Sequence, residues 1–175
     1  MLLAIDQSTR CSGWALYNDD GLVEFGIFKT PAALTGVEAA FWQVDAIEEA
    51  VALKGIKVLA LEKLYIPRDD HSKSKSKRID PNTIFLLGEL RGMLLLTVRQ
   101  YGCQVENIAS TEVCQHIGVS PFTPRTAKKR ASRQSAAMDI WQDRSKWKDI
   151  KEDAADAIAI GAVAQRRLRI ASMTI

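Results

Sequence analysis

Apolar and polar positions along this chain divide it into short continuous runs, then alternating stretches, then long segments of helical spacing. Leu2-Leu3-Ala4-Ile5 and Val58-Leu59-Ala60-Leu61 are unbroken apolar runs, and each ends on a carboxylate, Asp6 and Glu62. A strand with one wet face would alternate, so these two runs predict strands buried on both faces, with their acids at neighbouring tips. Residues 13–17 and 22–28 predict two more strands, punctuated by Gly13, by Asn18-Asp19-Asp20-Gly21 and by Pro31. With 2–6 they make an antiparallel meander.

Helical spacing begins near Thr35, which can cap a helix with Glu38 three positions on, and ends at Gly55. A strand over 57–62 follows. Residues 67–81 are polar and rich in Ser and Lys, without the periodicity of a core element, and predict a basic mobile loop. The helix over 81–101 has Ile84, Leu87, Leu90, Leu94 and Val98 on one face, while Phe85, Leu86, Met93 and Leu96 cover much of the rest. A helix apolar nearly all round needs a second surface. It is either a central core helix or the seam of a homodimer, with Gly88 and Gly92 letting two copies approach. A strand at 103–108 and helices near 123–140 and 153–170 complete the order β-β-β-α-β-α-β-α-α, an α/β domain with a five-stranded mixed sheet flanked by helices.

At 175 residues and 47% hydrophobic content, the chain suits one domain spanning 1–175. The net charge of +3 says little, but its distribution says more. Arg68, Lys73, Lys75, Lys77 and Arg78 crowd one stretch; Arg125, Lys128, Lys129, Arg130 and Arg133 crowd another that contains no acid. Both are footprints for a polyanion. Cys11, Cys103 and Cys114 are odd in number and lack metal-ligand spacing, which argues against a zinc knot or disulfide framework and for a reducing compartment. The longest greasy stretch, 84–98, carries Glu89 and Arg91 and is short for a membrane span, so a cytoplasmic location without a membrane partner is expected.

Asp153 and Asp156 open the last apolar helical pattern and share a face at i, i+3. With Asp6 and Glu62 they make a four-carboxylate set suited to hard divalent cations rather than to zinc. Two Mg²⁺ or Mn²⁺ ions about 4 Å apart can cleave a phosphodiester. Each acid also has a bland alternative: Asp6 ending a strand in a turn, Asp153 capping a helix, Asp156 solvating its first turn. A carboxylate at the tip of a buried strand nevertheless needs a cation or hydrogen bonds.

Ala4-Ile5-Asp6-Gln7-Ser8-Thr9 with Gly13-Trp14-Ala15, then Glu62-Lys63-Leu64-Tyr65, then Glu152-Asp153-Ala154-Ala155-Asp156-Ala157-Ile158-Ala159, resemble in order the acidic motifs of the RuvC family of Holliday junction resolvases, in the RNase H-like superfamily. Gln7 departs from the glycine or proline of many members. The resemblance implies an RNase H-like fold, a metal-binding catalytic tetrad of Asp6, Glu62, Asp153 and Asp156 with two Mg²⁺ (or Mn²⁺) ions, and paired hydrolytic cuts in four-way DNA junctions leaving 5′-phosphate and 3′-hydroxyl ends. It further implies a homodimer, Tyr65 as the aromatic that engages bases at the junction centre, and Lys128, Lys129 or Arg130 as the basic residue near the scissile phosphate. Arg68, Lys73, Lys75, Lys77, Arg78 and Arg125 would add phosphate contacts. The basic loop at 69–78 and the aromatic, basic segment at 141–147 resemble divergent phage-encoded members with broader branch specificity. A nuclease for flaps or RNA hybrids, or a non-catalytic branched-DNA-binding module, would share most of these features.

Overall fold

The computed structural model describes residues 1–64 and 80–173. Strands β1 (Leu2–Asp6), β2 (Cys11–Tyr17), β3 (Leu22–Lys29), β4 (Val58–Glu62) and β5 (Gln104–Ile108) form one sheet in the order β3-β2-β1-β4-β5. The first three are antiparallel neighbours, while β1–β4 and β4–β5 are parallel, so the sheet is mixed, as expected. The two apolar runs are its centre, with Ile5 opposite Leu61. Strand β2 begins two residues before the expected start because its polar Ser12 is satisfied in the interior. The Ser12 hydroxyl donates to the Ser8 carbonyl at 2.7 Å and accepts from the Ser8 N–H at 2.9 Å.

Side chains alternate across a strand, and here the parity is clean. Leu3, Ile5, Leu16, Leu59 and Leu61 face a core shared with α1 (Gly36–Lys54) and α2 (Pro81–Gln100). Leu2, Ala4, Ala15, Tyr17, Ala60 and Ile108 face the opposite core, filled by α4 (Arg125–Trp141) and α5 (Glu152–Met173). This second seam is lined by alanines from both sides, among them Ala4, Ala15 and Ala60 of the sheet and Ala154, Ala155 and Ala157 of the helix. Small residues on both surfaces let α5 lie close to the sheet. Gly161 continues the same fit: a Cβ there would stand 2.2 Å from the Tyr17 ring. The buried Tyr17 hydroxyl donates to the Ile158 carbonyl at 2.7 Å, fastening the middle of α5 to β2.

The ends of α1 and α2 fall where expected, with one difference in detail at Thr35. Thr35 is the N-cap of α1 but its side chain makes no capping bond, whereas Gly55 ends the helix at φ 60° with its N–H on the Val51 carbonyl. Asp80 caps α2 by accepting the Asn82 N–H at 3.1 Å, with Pro81 at the first helical position. Between β5 and α4 the chain adds a short helix, α3 (Ser110–His116), and before α5 a 3₁₀ turn over Arg144–Asp149; neither is in the expected order. Seven residues are too few for apolar periodicity to announce α3. Its signal is Glu112, whose carboxylate reaches back to accept the Ala109 N–H at 3.0 Å.

Helix α2 buries Leu90, Leu94 and Val98 against α1 and the sheet, while Ile84 and Leu87 of the expected inner face are only partly covered. Phe85 and Leu96 are 71% and 66% exposed. Gly88 and Gly92 lie between them, and a Cβ at either would meet nothing. Among the described residues, no helix is long and apolar enough to cross a membrane.

Candidate active site

Parity decides where the first two acids point. Asp6 and Glu62 follow Ala4 and Ala60 by two residues, so they face α5, at the carboxyl ends of adjacent parallel strands. In open α/β sheets that end is where crevices for ligands form. The turn after Asp6 is held in place: Thr30 Oγ1 donates to the Thr9 carbonyl at 2.9 Å, and Gln43 on α1 donates to Thr30 Oγ1 at 2.8 Å.

The other two acids arrive with the start of α5. Gly13 is opposite Asp6 in the β1–β2 register, and a Cβ on Gly13 would lie 1.8 Å from the Asp153 carbonyl oxygen and 2.8 Å from the Ala154 nitrogen. Real Cβ atoms do not approach so closely, so the first turn of α5 rests directly on the β2 backbone. Asp153 and Asp156 are thereby carried to the strand tips.

The resulting electrostatics are those of an anion-rich cleft. Burial pushes the Asp6 carboxyl well above its ordinary value, and Asp156, Glu62 and Asp153 push it further, with Lys129 opposing. Asp156 is also raised, by burial first, and then by Glu62 and Asp153. Ser132 and Lys129 hold it down. The buried Ser132 hydroxyl faces Asp156 without a hydrogen bond of full geometry, and it has no other partner among the described residues. Asp153 leans towards Cys11, whose thiol is pushed up to about 11 by burial and then by this carboxylate.

Among the described residues, no three Asp, Glu, His or Cys side chains stand as a group ready to hold one ion. The donor set still fits a hard divalent cation. It is all oxygen, it is partly desolvated, and among the described residues the one opposing charge acting on both Asp6 and Asp156 is Lys129.

Sequence reasoning missed the residue that ties the strand tips together. Arg91 of α2 donates from Nη1 to the Glu62 carbonyl at 2.9 Å and to Gln7 Oε1 at 3.3 Å, and from Nη2 to Asn107 Oδ1. One guanidinium thus spans the ends of β1, β4 and β5. Burial lowers its pKa from the usual arginine value. Its signal was a lone cation in the middle of an apolar helix.

The basic residues separate into several roles. Lys128 lines a cleft of about 640 Å³ together with Asp6, Gln7, Glu62, Leu64 and Phe122, and its Nζ donates to the Pro121 carbonyl at 2.5 Å. Lys129 pairs with Glu152 at the start of α5, close enough to act on Asp6 and Asp156. Arg130 lies over the Trp147 ring at 5.7 Å, and Arg125 is exposed on the first turn of α4. Tyr65, Arg68, Lys73, Lys75, Lys77 and Arg78 lie outside the described residues, as does nearly all of the expected loop.

No family model matches the chain, and no curated protein matches it in sequence. Solved structures do match in shape. The chain is similar to Thermus thermophilus RuvC in complex with a Holliday junction substrate, with a TM-score of 0.71 at 14% identity over 97% of this chain and 94% of that one. A second T. thermophilus RuvC structure gives a TM-score of 0.68 at 14% identity over 97% and 96%. The yeast mitochondrial Holliday junction resolvase gives 0.60 at 12% identity over 94% and 77%. The protein therefore has the α/β RNase H-like fold, in the form shared by RuvC and the yeast resolvase.

Proposed function

We propose that the protein is a metal-dependent endonuclease of branched DNA, with the four-way junction as its principal substrate. The observation that carries this reading is the arrival of Asp6, Glu62, Asp153 and Asp156 at one end of the sheet, where burial first and then the other three carboxylates raise the Asp6 carboxyl, in a fold that a RuvC bound to a Holliday junction shares. Surplus buried carboxylates would repel a phosphate backbone unless cations neutralise them.

Asp6, Glu62, Asp153 and Asp156 would hold Mg²⁺ or Mn²⁺. A pair of such ions, when bound, supplies activation of the attacking water and stabilisation of the leaving 3′-oxygen. The chain's own residues do the rest. Arg91 keeps the β1 and β4 tips in fixed relation, so that Asp6 and Glu62 present their oxygens without reorganising. Lys128 sits at the wall of the cleft, where a cation attracts the scissile phosphate, and Arg125 and Arg130 extend the positive surface along α4 to the DNA arms. Hydrolysis leaves 5′-phosphate and 3′-hydroxyl ends. Tyr65 would engage bases at the junction centre, and Arg68, Lys73, Lys75, Lys77 and Arg78 would add phosphate contacts. A four-way junction has near two-fold symmetry, so two coordinated nicks call for a homodimer, and the open stripe on α2 supports one.

A nicking assay with Mg²⁺ on a four-way junction, a flap, a fork and linear duplex, with Asp6→Asn as control, tests this reading. The expected result is paired symmetric cuts in the four-way junction, abolished by Asp6→Asn. Equal cutting of flap and fork would make it a general debranching nuclease; junction binding without any metal-dependent cutting would make it a binding module.

A further inference from the structure

Among the described residues, the large apolar side chain most open to solvent is Phe122, 95% exposed, and it stands on the wall of the cleft that holds Asp6 and Glu62. Leaving a phenyl ring in water forgoes the burial that a neighbouring apolar side chain such as Leu64 would offer. The loop is built to keep it out. The Phe122 N–H donates to Ser120 Oγ at 3.2 Å, the Thr123 N–H donates to the Ser120 carbonyl at 3.0 Å, and Lys128 Nζ fastens the Pro121 carbonyl. Pro121 and Pro124 restrict the backbone on both sides of the turn. The ring is thus presented on a braced turn, with a lysine beside it and carboxylates within the same cleft.

That combination selects a ligand with an apolar flat face attached to a negatively charged chain. An unstacked nucleobase meets both demands, since every base offers a π-face and its phosphate suits the adjacent cation. We infer that Phe122 is a stacking platform for an unpaired base at the DNA branch point, seating the adjoining phosphodiester in the cleft. This rests on the branched-DNA reading above and names a contact for it on the loop between α3 and α4. Phe122 acts there as a positioning and specificity residue, at a distance along the chain from Tyr65.

The test uses four-way junctions carrying 2-aminopurine at or next to the branch point, bound by the full chain in an Asp6→Asn background so that no cutting intervenes. Fluorescence should be quenched on binding, the quench should vanish with Phe122→Ala and persist with Phe122→Trp, and affinity for the junction should fall about 5- to 100-fold with Phe122→Ala. Affinity for linear duplex should hold, and so should the melting temperature, because among the described residues the ring is left almost wholly exposed. Quenching that survives Phe122→Ala, or an equal loss of affinity for duplex, overturns the assignment while leaving the branched-DNA reading intact. A parent chain that binds no branched DNA overturns both.

Discussion

Gly13 does as much for the candidate site as the four acids, because it is where the sheet admits the helix that bears two of them. A methyl group on Gly13 cannot coexist with the Asp153 carbonyl at 1.8 Å, so Gly13→Ala must lift the first turn of α5. The expected cost is about 2–3 kcal/mol of stability, as for overpacking in a tight core, together with loss of nicking even in the fraction that remains folded. Urea unfolding and a nicking assay on the same preparation check this; a variant of parental stability and activity would show that the helix has room to move. Asp6 and Glu62 were legible in the sequence because a carboxylate at the end of an apolar run is conspicuous, and Asp153 and Asp156 because they open an apolar helical pattern at i, i+3. Gly13 was read there as punctuation, since a glycine in a strand announces a close approach without naming the neighbour. Arg91 was read only as a charge interrupting a greasy stretch, because its partners come from three strands distant in sequence.

At the scale of elements, the sheet was legible and the short pieces were not. Continuous apolar runs marked β1 and β4 as central strands, and helical spacing located α1, α2, α4 and α5 to within a few residues. Helix α3 and the 3₁₀ turn span too few turns for a repeating apolar pattern to reveal them, and Thr35 shows that a capping residue can occupy its position without making its bond. Helix α2 presents two different faces, the inner one closed by Leu90, Leu94 and Val98 and the outer one carrying Phe85, Gly88, Gly92 and Leu96 in the open. If a second copy packs on the outer face, Phe85→Asp with Leu96→Glu should convert a dimer to a monomer, read by light scattering at micromolar concentration, while the circular dichroism spectrum stays unchanged. A chain already monomeric before substitution would remove the dimer from the proposed mechanism.

Across the whole molecule, the end of the chain is bound back to its middle by charge as well as by the alanine seam. Arg167 of α5 donates to Glu112 of α3 at 2.6 Å and to the Asn107 carbonyl of β5 at 3.1 Å. The Arg167 hydrogen bond is the main reason the Glu112 carboxyl lies below its ordinary value of 4.5. A carboxyl depressed by folding contributes stability that is present above 4.5 and is lost as pH falls through its folded value. Glu112→Gln should therefore cost about 1 kcal/mol or less at pH 7, given the partial exposure of the pair, and the gap to the parent should close on acidification. Urea midpoints at pH 7 and near pH 3.5 test the sign; a gap unchanged at low pH would refute it.

The fastening of Tyr17 to Ile158, 141 positions apart, also has a temporal meaning. During synthesis a ribosome delivers Asp6 and Glu62 early, but the seat on Gly13 stays empty until α5 has cleared the exit tunnel. Half of the carboxylates therefore reach the strand tips only when α5 docks, so the nascent polypeptide lacks the complete cleft until that helix has been made.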